Sequence, residues 1–239
     1  MSVDQLKNML NWQLMAGSHE WPGPDGGTCI IEAAIVAAGM PYKRVTGSSA
    51  IPECFSRIIA TFLMTLNDRM DSKARQVLIE FIPRLAGSAD NYKIEIKRAK
   101  YIIIQSFSKV FPCYLMKHYP RLASDYISGI VGCKTLIDIT KICNDNLQWT
   151  YRNELILYET VKSYRLATRS LSRLGGSDVA DIAQAIAGTV IHCNVEHHEQ
   201  YLNIVRGALA IGRQADPIET ETIIARADKI RKNVSESVA

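Results

Sequence analysis

Proline is missing between Arg121 and Asp216, and the 239 residues contain only 8 prolines and 14 glycines. An all-β domain needs such breakers at short, regular intervals, so their scarcity argues against a sandwich or barrel and for long helices. No apolar run approaches the roughly 18 residues of a membrane span, so no membrane partner is expected. The six cysteines (Cys29, Cys54, Cys113, Cys133, Cys143 and Cys193) contain no CxxC pair. Scattered thiols in a chain of this size are expected to be reduced, which points to the cytoplasm. The opening Met1-Ser2-Val3-Asp4-Gln5 lacks the charged and apolar regions of a secretory signal. HExxH, GxxxxGK[ST] and a strand-linked GxGxxG are also absent, so zincin, phosphate-loop and dinucleotide readings fail, and no cofactor is expected. Nor does one sign of charge dominate. Lys plus Arg is 28 against 24 Asp plus Glu, a net +4 that does not by itself call for a nucleic-acid partner.

What is present is helical period. Phe55, Ile58, Ile59, Phe62, Leu63 and Leu66 recur at i, i+3, i+4 and i+7, as do Ala74, Val77, Leu78, Phe81, Ile82 and Leu85. Val3, Leu6, Leu10 and Leu14 repeat the pattern after a Ser2–Gln5 capping box. Lys93–Ile104 alternates briefly like a strand, but its continuation through Ile103, Phe107, Val110 and Phe111 favours a helix that Pro112 kinks or ends. Gly39 before Pro41 closes a helix that starts near Thr28, Ser177 starts another, and Asp216-Pro217-Ile218-Glu219 reads as N-cap, N1 and N3 of a third. The expectation is an all-α protein of eight to ten helices with no secure strand. These form either one continuous domain or two subdomains, 1–87 and 88–239, that break at Gly87-Ser88, with a further candidate break at Asn144–Asn146. The irregular stretches are Gly17–Gly27 and Met40–Pro52.

Chemistry concentrates in the first of these. Gly17 to Glu32 carries His19, Trp21 and Asp25 in a Pro/Gly-rich loop that runs into an apolar helix with Cys29 in its first turn. Free N–H groups and the positive dipole end favour a thiolate there, so Cys29 is a candidate nucleophile with His19 as base and Asp25 as orienting group. The plainer reading has Asp25 and Thr28 as caps, Trp21 as packing and Cys29 as a small buried hydrophobe. His19, Cys29, Glu32 and Cys54 are suitable zinc ligand types, as are Cys193 and His197 at i and i+4, but neither set has a known metal spacing. No metal site is assigned. Cys193 and His197 also continue the apolar stripe Val179, Ile182, Ile186, Val190 and Tyr201.

Asp25-Gly26-Gly27-Thr28-Cys29-Ile30-Ile31 resembles the Asp-Gly-x-Cys-apolar signature of ovarian-tumour-type cysteine peptidases, with one residue more between Asp and Cys. A wider pattern includes Gly17-Ser18-His19, Asp25–Cys29, Glu32-Ala33 and Pro52-Glu53-Cys54. It continues with Leu66-Asn67-Asp68 and Arg84-Leu85-Ala86-Gly87. Over roughly the first 90 residues it resembles uncharacterised helical proteins of bacteria and their phages, a family that implies no assigned activity.

Basic faces complete the inventory. Lys162, Arg165, Arg169 and Arg173 advance by three or four along one helix face. Lys93, Lys97, Arg98, Lys100, Lys109, Lys117 and Arg121 cluster with Tyr101, Phe107, Tyr114, Tyr119 and Tyr164 interleaved. Such faces suit phosphates or an acidic protein, or lie solvated with their stems on apolar surface. With no complete catalytic set, the leading expectation is a non-enzymatic cytoplasmic protein acting by protein–protein contact, as adaptor or inhibitor. Trp21 and the Lys162–Arg173 face are its candidate contacts. A Cys29 hydrolase and a nucleic-acid binder are the alternatives.

Overall fold

A computed structural model describes residues 13–20, 27–121, 124–153, 155–172, 178–191 and 198–238. The all-α expectation holds. Ten helical rods are described: α1 (Ile30–Ala37), α2 (Arg57–Arg69), α3 (72–85), α4 (92–118), α5 (Ser124–Val131), α6 (Leu136–Asn153), α7 (Leu155–Ser172), α8 (Val179–Ile191), α9 (His198–Leu209) and α10 (Thr220–Val238). Two two-residue strands, β1 (Gln13–Leu14) and β2 (Gly27–Thr28), pair in parallel.

The chain divides into two units, 1–90 with 213–239, and 91–212. The first break lies three residues beyond the expected one. The larger difference is at the C-terminus, where α10 belongs with the N-terminal unit. Its Arg226 donates to the Ala37 carbonyl at the end of α1, and Ile223 and Ala227 are fully buried. Residues 213–219 lead into it without regular secondary structure. The Ile218 N–H bonds the Pro83 carbonyl at 3.0 Å instead of the Asp216 side chain, so α10 begins at Thr220, not just after Asp216.

Within this unit α2 buries the whole predicted stripe from Phe55 to Leu66. Ser56 caps it by accepting the Ile59 N–H. The second stripe is only partly right. Residues Gln76–Phe81 tighten into a 3₁₀ turn, so Leu78, Phe81, Ile82 and Leu85 are buried while Ala74 and Val77 are half-exposed. The same tightening turns Arg75 and Gln76 inward. The Gln76 amide accepts from the Leu14 N–H and donates to the Leu14 carbonyl, acting as a third strand beside β1. The Arg75 guanidinium donates to the Asn67 and Met70 carbonyls that end α2. Leu14, expected on a helix, is therefore a buried strand residue; the rest of that proposed helix (Val3, Leu6 and Leu10) lies outside the described residues. Gly39 ends α1 as expected, at φ +80°, with Gly39 N–H on Val36 and Met40 N–H on Ile35.

In the second unit the ambiguous stretch is helical, but Pro112 neither ends nor breaks α4. Ser106–Val110 widen into a π turn in which the Phe111 N–H reaches Ser106, so the ladder is already displaced where Pro112 lacks its donor. α4 takes one member of the second basic face inside and leaves Lys93, Lys97, Lys100, Lys109 and Lys117 exposed. Arg98 is fully buried, paired with Glu95 at 2.6 Å and donating to the Ile211 carbonyl. Phe107, Phe111 and Tyr164 form an aromatic core with ring centroids 4.8–5.5 Å apart. Each such pair adds about 0.5–1.5 kcal/mol beyond burial. These rings pack with one another and are not available for bases to stack on. The break considered at Asn144–Asn146 is not one, since α6 runs through it. α8 is capped by Asp178, one residue after Ser177, and Ser177 lies outside the described residues.

Candidate functional site

Two places test the expected chemistry, one in each unit. In the first unit, Cys29 is the N-cap of α1. Its Sγ accepts the Glu32 N–H at 3.4 Å, and the Glu32 carboxylate returns to the Cys29 N–H at 3.0 Å, a capping box with a thiol in the usual hydroxyl place. Glu32 is fully buried and does more than cap. It also accepts the Ser18 hydroxyl at 2.7 Å, the Val45 N–H at 3.0 Å and the His19 N–H. The Tyr42 hydroxyl donates to the His19 carbonyl, Gly17 N–H donates to Asp68, and the Asn67 amide donates to the Met15 carbonyl. Gly17, Ser18, His19, Cys29, Glu32, Asn67 and Asp68 thus meet in one hydrogen-bonded cluster, although the sequence strings them over fifty positions.

That cluster corrects the thiolate expectation. Cys29 is 1% exposed, and burial, with the neighbouring Glu32 carboxylate adding to it, raises its thiol well above the ordinary range. The hydrogen bonds it receives at the helix start work the other way and are outweighed. A protonated, enclosed thiol is a poor nucleophile near neutral pH. The His19 ring uses Nε2 on the Ala16 carbonyl at 3.0 Å. Asp25 and Trp21 lie outside the described residues. What the described residues assemble is a buried carboxylate that organises backbone, with Cys29 as its cap. Sequence reasoning weighed Glu32 only as a zinc ligand. The signal for its role was its place three residues after Cys29, at the N3 position of a capping box.

No group of three or more His, Cys, Asp and Glu side chains suited to a metal occurs among the described residues. Cys54 is exposed while Cys29 is enclosed, and Cys193 and His197 lie outside the described residues. The five described cysteines are free thiols. No described helix is long and apolar enough to cross a membrane.

The second place is the hairpin of α6 and α7. Thr135 and Asp138 start α6 with a capping box: Asp138 accepts the Thr135 and Lys134 N–H groups, and its own N–H donates to the Thr135 hydroxyl. Asn144 accepts from Arg165 Nε at 2.6 Å, and Tyr151 meets Tyr158 edge to face at 5.1 Å. Advancing seven residues on α6 retreats seven on α7, so the two helices run antiparallel. Their inward faces are greasy: Ile139 and Cys143 on α6, and Leu157, Val161, Tyr164 and Leu171 on α7, are all buried.

Their outward faces are also greasy, which an ordinary surface hairpin does not need. Five of the eight large apolar side chains exposed among the described residues fall here: Ile137 (80%), Tyr151 (65%), Leu155 (67%), Ile156 (58%) and Leu166 (50%). Lone exposed apolar residues mean nothing, but a concentration does. Two shallow grooves run along the α6 side of the hairpin, one past Ile137, Lys141 and Asn144 and the next past Asn144, Leu147, Gln148, Tyr151 and Tyr158, so that Ile137 and Tyr151 are the exposed apolar residues that line them.

Three of the four expected cations are on this hairpin. Lys162 lies beside Glu159 at 3.4 Å and over the Tyr158 ring at 5.5 Å. Arg165 is held by Asn144, and Arg169 is exposed. Arg173 lies outside the described residues. Lys141 and Arg152, not singled out from sequence, join them from α6. The period of α6 was there to find these two, but the missing partner helix hid the face they share with α7. No family model matches this chain, and neither a curated protein nor a solved structure matches it.

Proposed function

We propose that this chain is a non-enzymatic helical protein that works through protein–protein contact, as an adaptor or inhibitor, and that the outward face of the α6–α7 hairpin is its contact surface. The observation that carries the reading is the concentration of exposed Ile137, Tyr151, Leu155, Ile156 and Leu166 on two packed helices. Exposing five large apolar side chains in one region invites aggregation unless a partner covers them. Tyr151 is the natural anchor, being large, aromatic and steadied by its edge contact with Tyr158. A cytoplasmic setting fits the free state of the five described thiols.

The test compares capture from a lysate of the source cells by wild type and by an Ile137→Ser/Tyr151→Ser/Leu155→Ser variant. A Met116→Ser variant, whose exposed side chain lies on α4, is the control. The reading expects a defined partner held by wild type and control and lost by the triple variant. Equal capture by all three, or none by any, overturns it.

A nucleic-acid reading draws on the same face, because Lys141, Lys162, Arg165 and Arg169 flank Tyr151 and Tyr158. It leaves the four exposed aliphatic side chains without a purpose. It expects oligouridylate binding that weakens steeply with salt.

A further inference from the structure

Resting on that docking reading, we infer that the occupant of the α6–α7 face is an acidic amphipathic helix of a partner protein. Charge complementarity over an apolar groove selects that occupant. Helical geometry puts Ile137, Lys141, Asn144, Gln148 and Tyr151 in one line on α6, and Leu155, Tyr158, Lys162, Arg165 and Arg169 in one line on α7. Cations described on this face are Lys141, Arg152, Lys162, Arg165 and Arg169, against Asp138, Asp145 and Glu159, and Glu159 is already engaged by Lys162. Lys141, Arg152 and Arg169 are exposed and have no carboxylate within ion-pair distance among the described residues. Among the described residues the surface therefore holds an excess of two positive charges, in a chain whose net charge is +4. A second copy of the chain would bring like charge onto like charge across a two-fold axis, which disfavours it as occupant.

Geometry sets the rest of the specification. The valley between two antiparallel helices accepts a third rod, with apolar anchors at i, i+3, i+4 and i+7. From Ile137 to Tyr151 is 14 residues, about 21 Å of helix at 1.5 Å each. The partner segment is thus about four turns long. Its carboxylates fall on the side facing α7, where Lys162, Arg165 and Arg169 span two turns. Arg165 is the pivot. Asn144 holds its Nε, and its Nη groups have no hydrogen-bond partner among the described residues, so the fork is oriented before a carboxylate arrives.

The experiment is selection from a display library of 18-residue peptides on a helical alanine scaffold, with the exposed positions randomised. Wild type is run beside an Arg165→Glu/Arg169→Glu variant whose helix content is checked by circular dichroism. The inference expects wild type to enrich peptides with Leu, Ile or Phe at i, i+3, i+4 and i+7 and Asp or Glu on one flank. The double variant is expected to bind those peptides about tenfold more weakly or worse, as two exposed pairs turn repulsive. The variant's own selection should shift that flank to Lys or Arg. No enrichment, enrichment without charge bias, or a flank unchanged by the charge reversal overturns the inference. So does an oligouridylate that competes the selected peptides off the face. If the triple apolar variant loses a captured partner while the library shows no acidic bias, only the identity of the occupant fails and the docking face stands.

Discussion

Removing the Glu32 carboxylate should cost more than removing any exposed ion pair in the chain. In the fold it accepts four different groups: the Ser18 hydroxyl and the N–H groups of His19, Cys29 and Val45, at 2.7–3.3 Å. Glu32→Ala strips all four of their acceptor, and the Cys29 and Val45 donors are buried while Ser18 and His19 are half-buried. A buried donor left unpaired costs about 1–3 kcal/mol. Water admitted to the vacated volume restores some of this, so the expected loss is about 3–5 kcal/mol, a third or more of a typical domain's stability of about 5–15 kcal/mol. Glu32→Gln keeps one carbonyl oxygen but turns an amide NH₂ toward donors, and should cost about 1–3 kcal/mol on the same accounting. Urea unfolding gives the size, and hydrogen exchange gives the place. Protection should fall first at Val45 and Cys29, while the aromatic core around Phe107 stays protected. A Glu32→Ala loss below about 1 kcal/mol, or equal losses for Ala and Gln, would refute the view that this carboxylate organises the loop.

Three further outcomes are expected. With an aromatic disulfide reagent at about pH 8, exposed Cys54 should react first, and Cys29 and Cys143 only as fast as the fold opens. Burial pushes the Cys143 thiol up to about 12, and Cys29 reacting as fast as Cys54 would revive the hydrolase reading. Asp138 is held below its ordinary carboxyl range first by the Lys134 N–H, then by the Thr135 hydroxyl and N–H. Its contribution is therefore present above the unfolded value of about 3.9 and lost as pH falls through the lower folded value. Asp138→Asn should lower the melting temperature at about pH 7 and leave it nearly unchanged at about pH 2, and an equal drop at both would contradict that sign. Gly207→Ala should destabilise by about 1–3 kcal/mol, because a Cβ there would come within 2.0 Å of the Tyr101 hydroxyl oxygen, and Tyr101→Ala should relieve most of the penalty.

Local chemistry made the rods legible and their ends less so. The α2 stripe could be read because a 3.6-residue period maps directly onto one buried face, and Gly39 because only glycine sits easily at φ +80°. The start of α10 could not. A cap, a proline and a glutamate in the right order were overruled by a single long-range bond from Ile218 to Pro83. The Cys29 environment was misjudged for a related reason. The helix start does lower the thiol, as its residue type and position suggest, but enclosure by the loop raises it more, and enclosure is not a local property.

That this protein is a set of helices follows from its residues alone, because period, scarce proline and caps act over a few residues. Long-range packing settles which polar side chains vanish into the interior. Glu32, Arg75, Gln76 and Arg98 are buried because partners many positions away satisfy them. It likewise settles which greasy side chains stay out. Ile137, Tyr151 and Leu155 look like core residues one by one. They become a surface only when α6 and α7 pair through Tyr151–Tyr158 and Asn144–Arg165, which fixes the face each helix turns away from its neighbours.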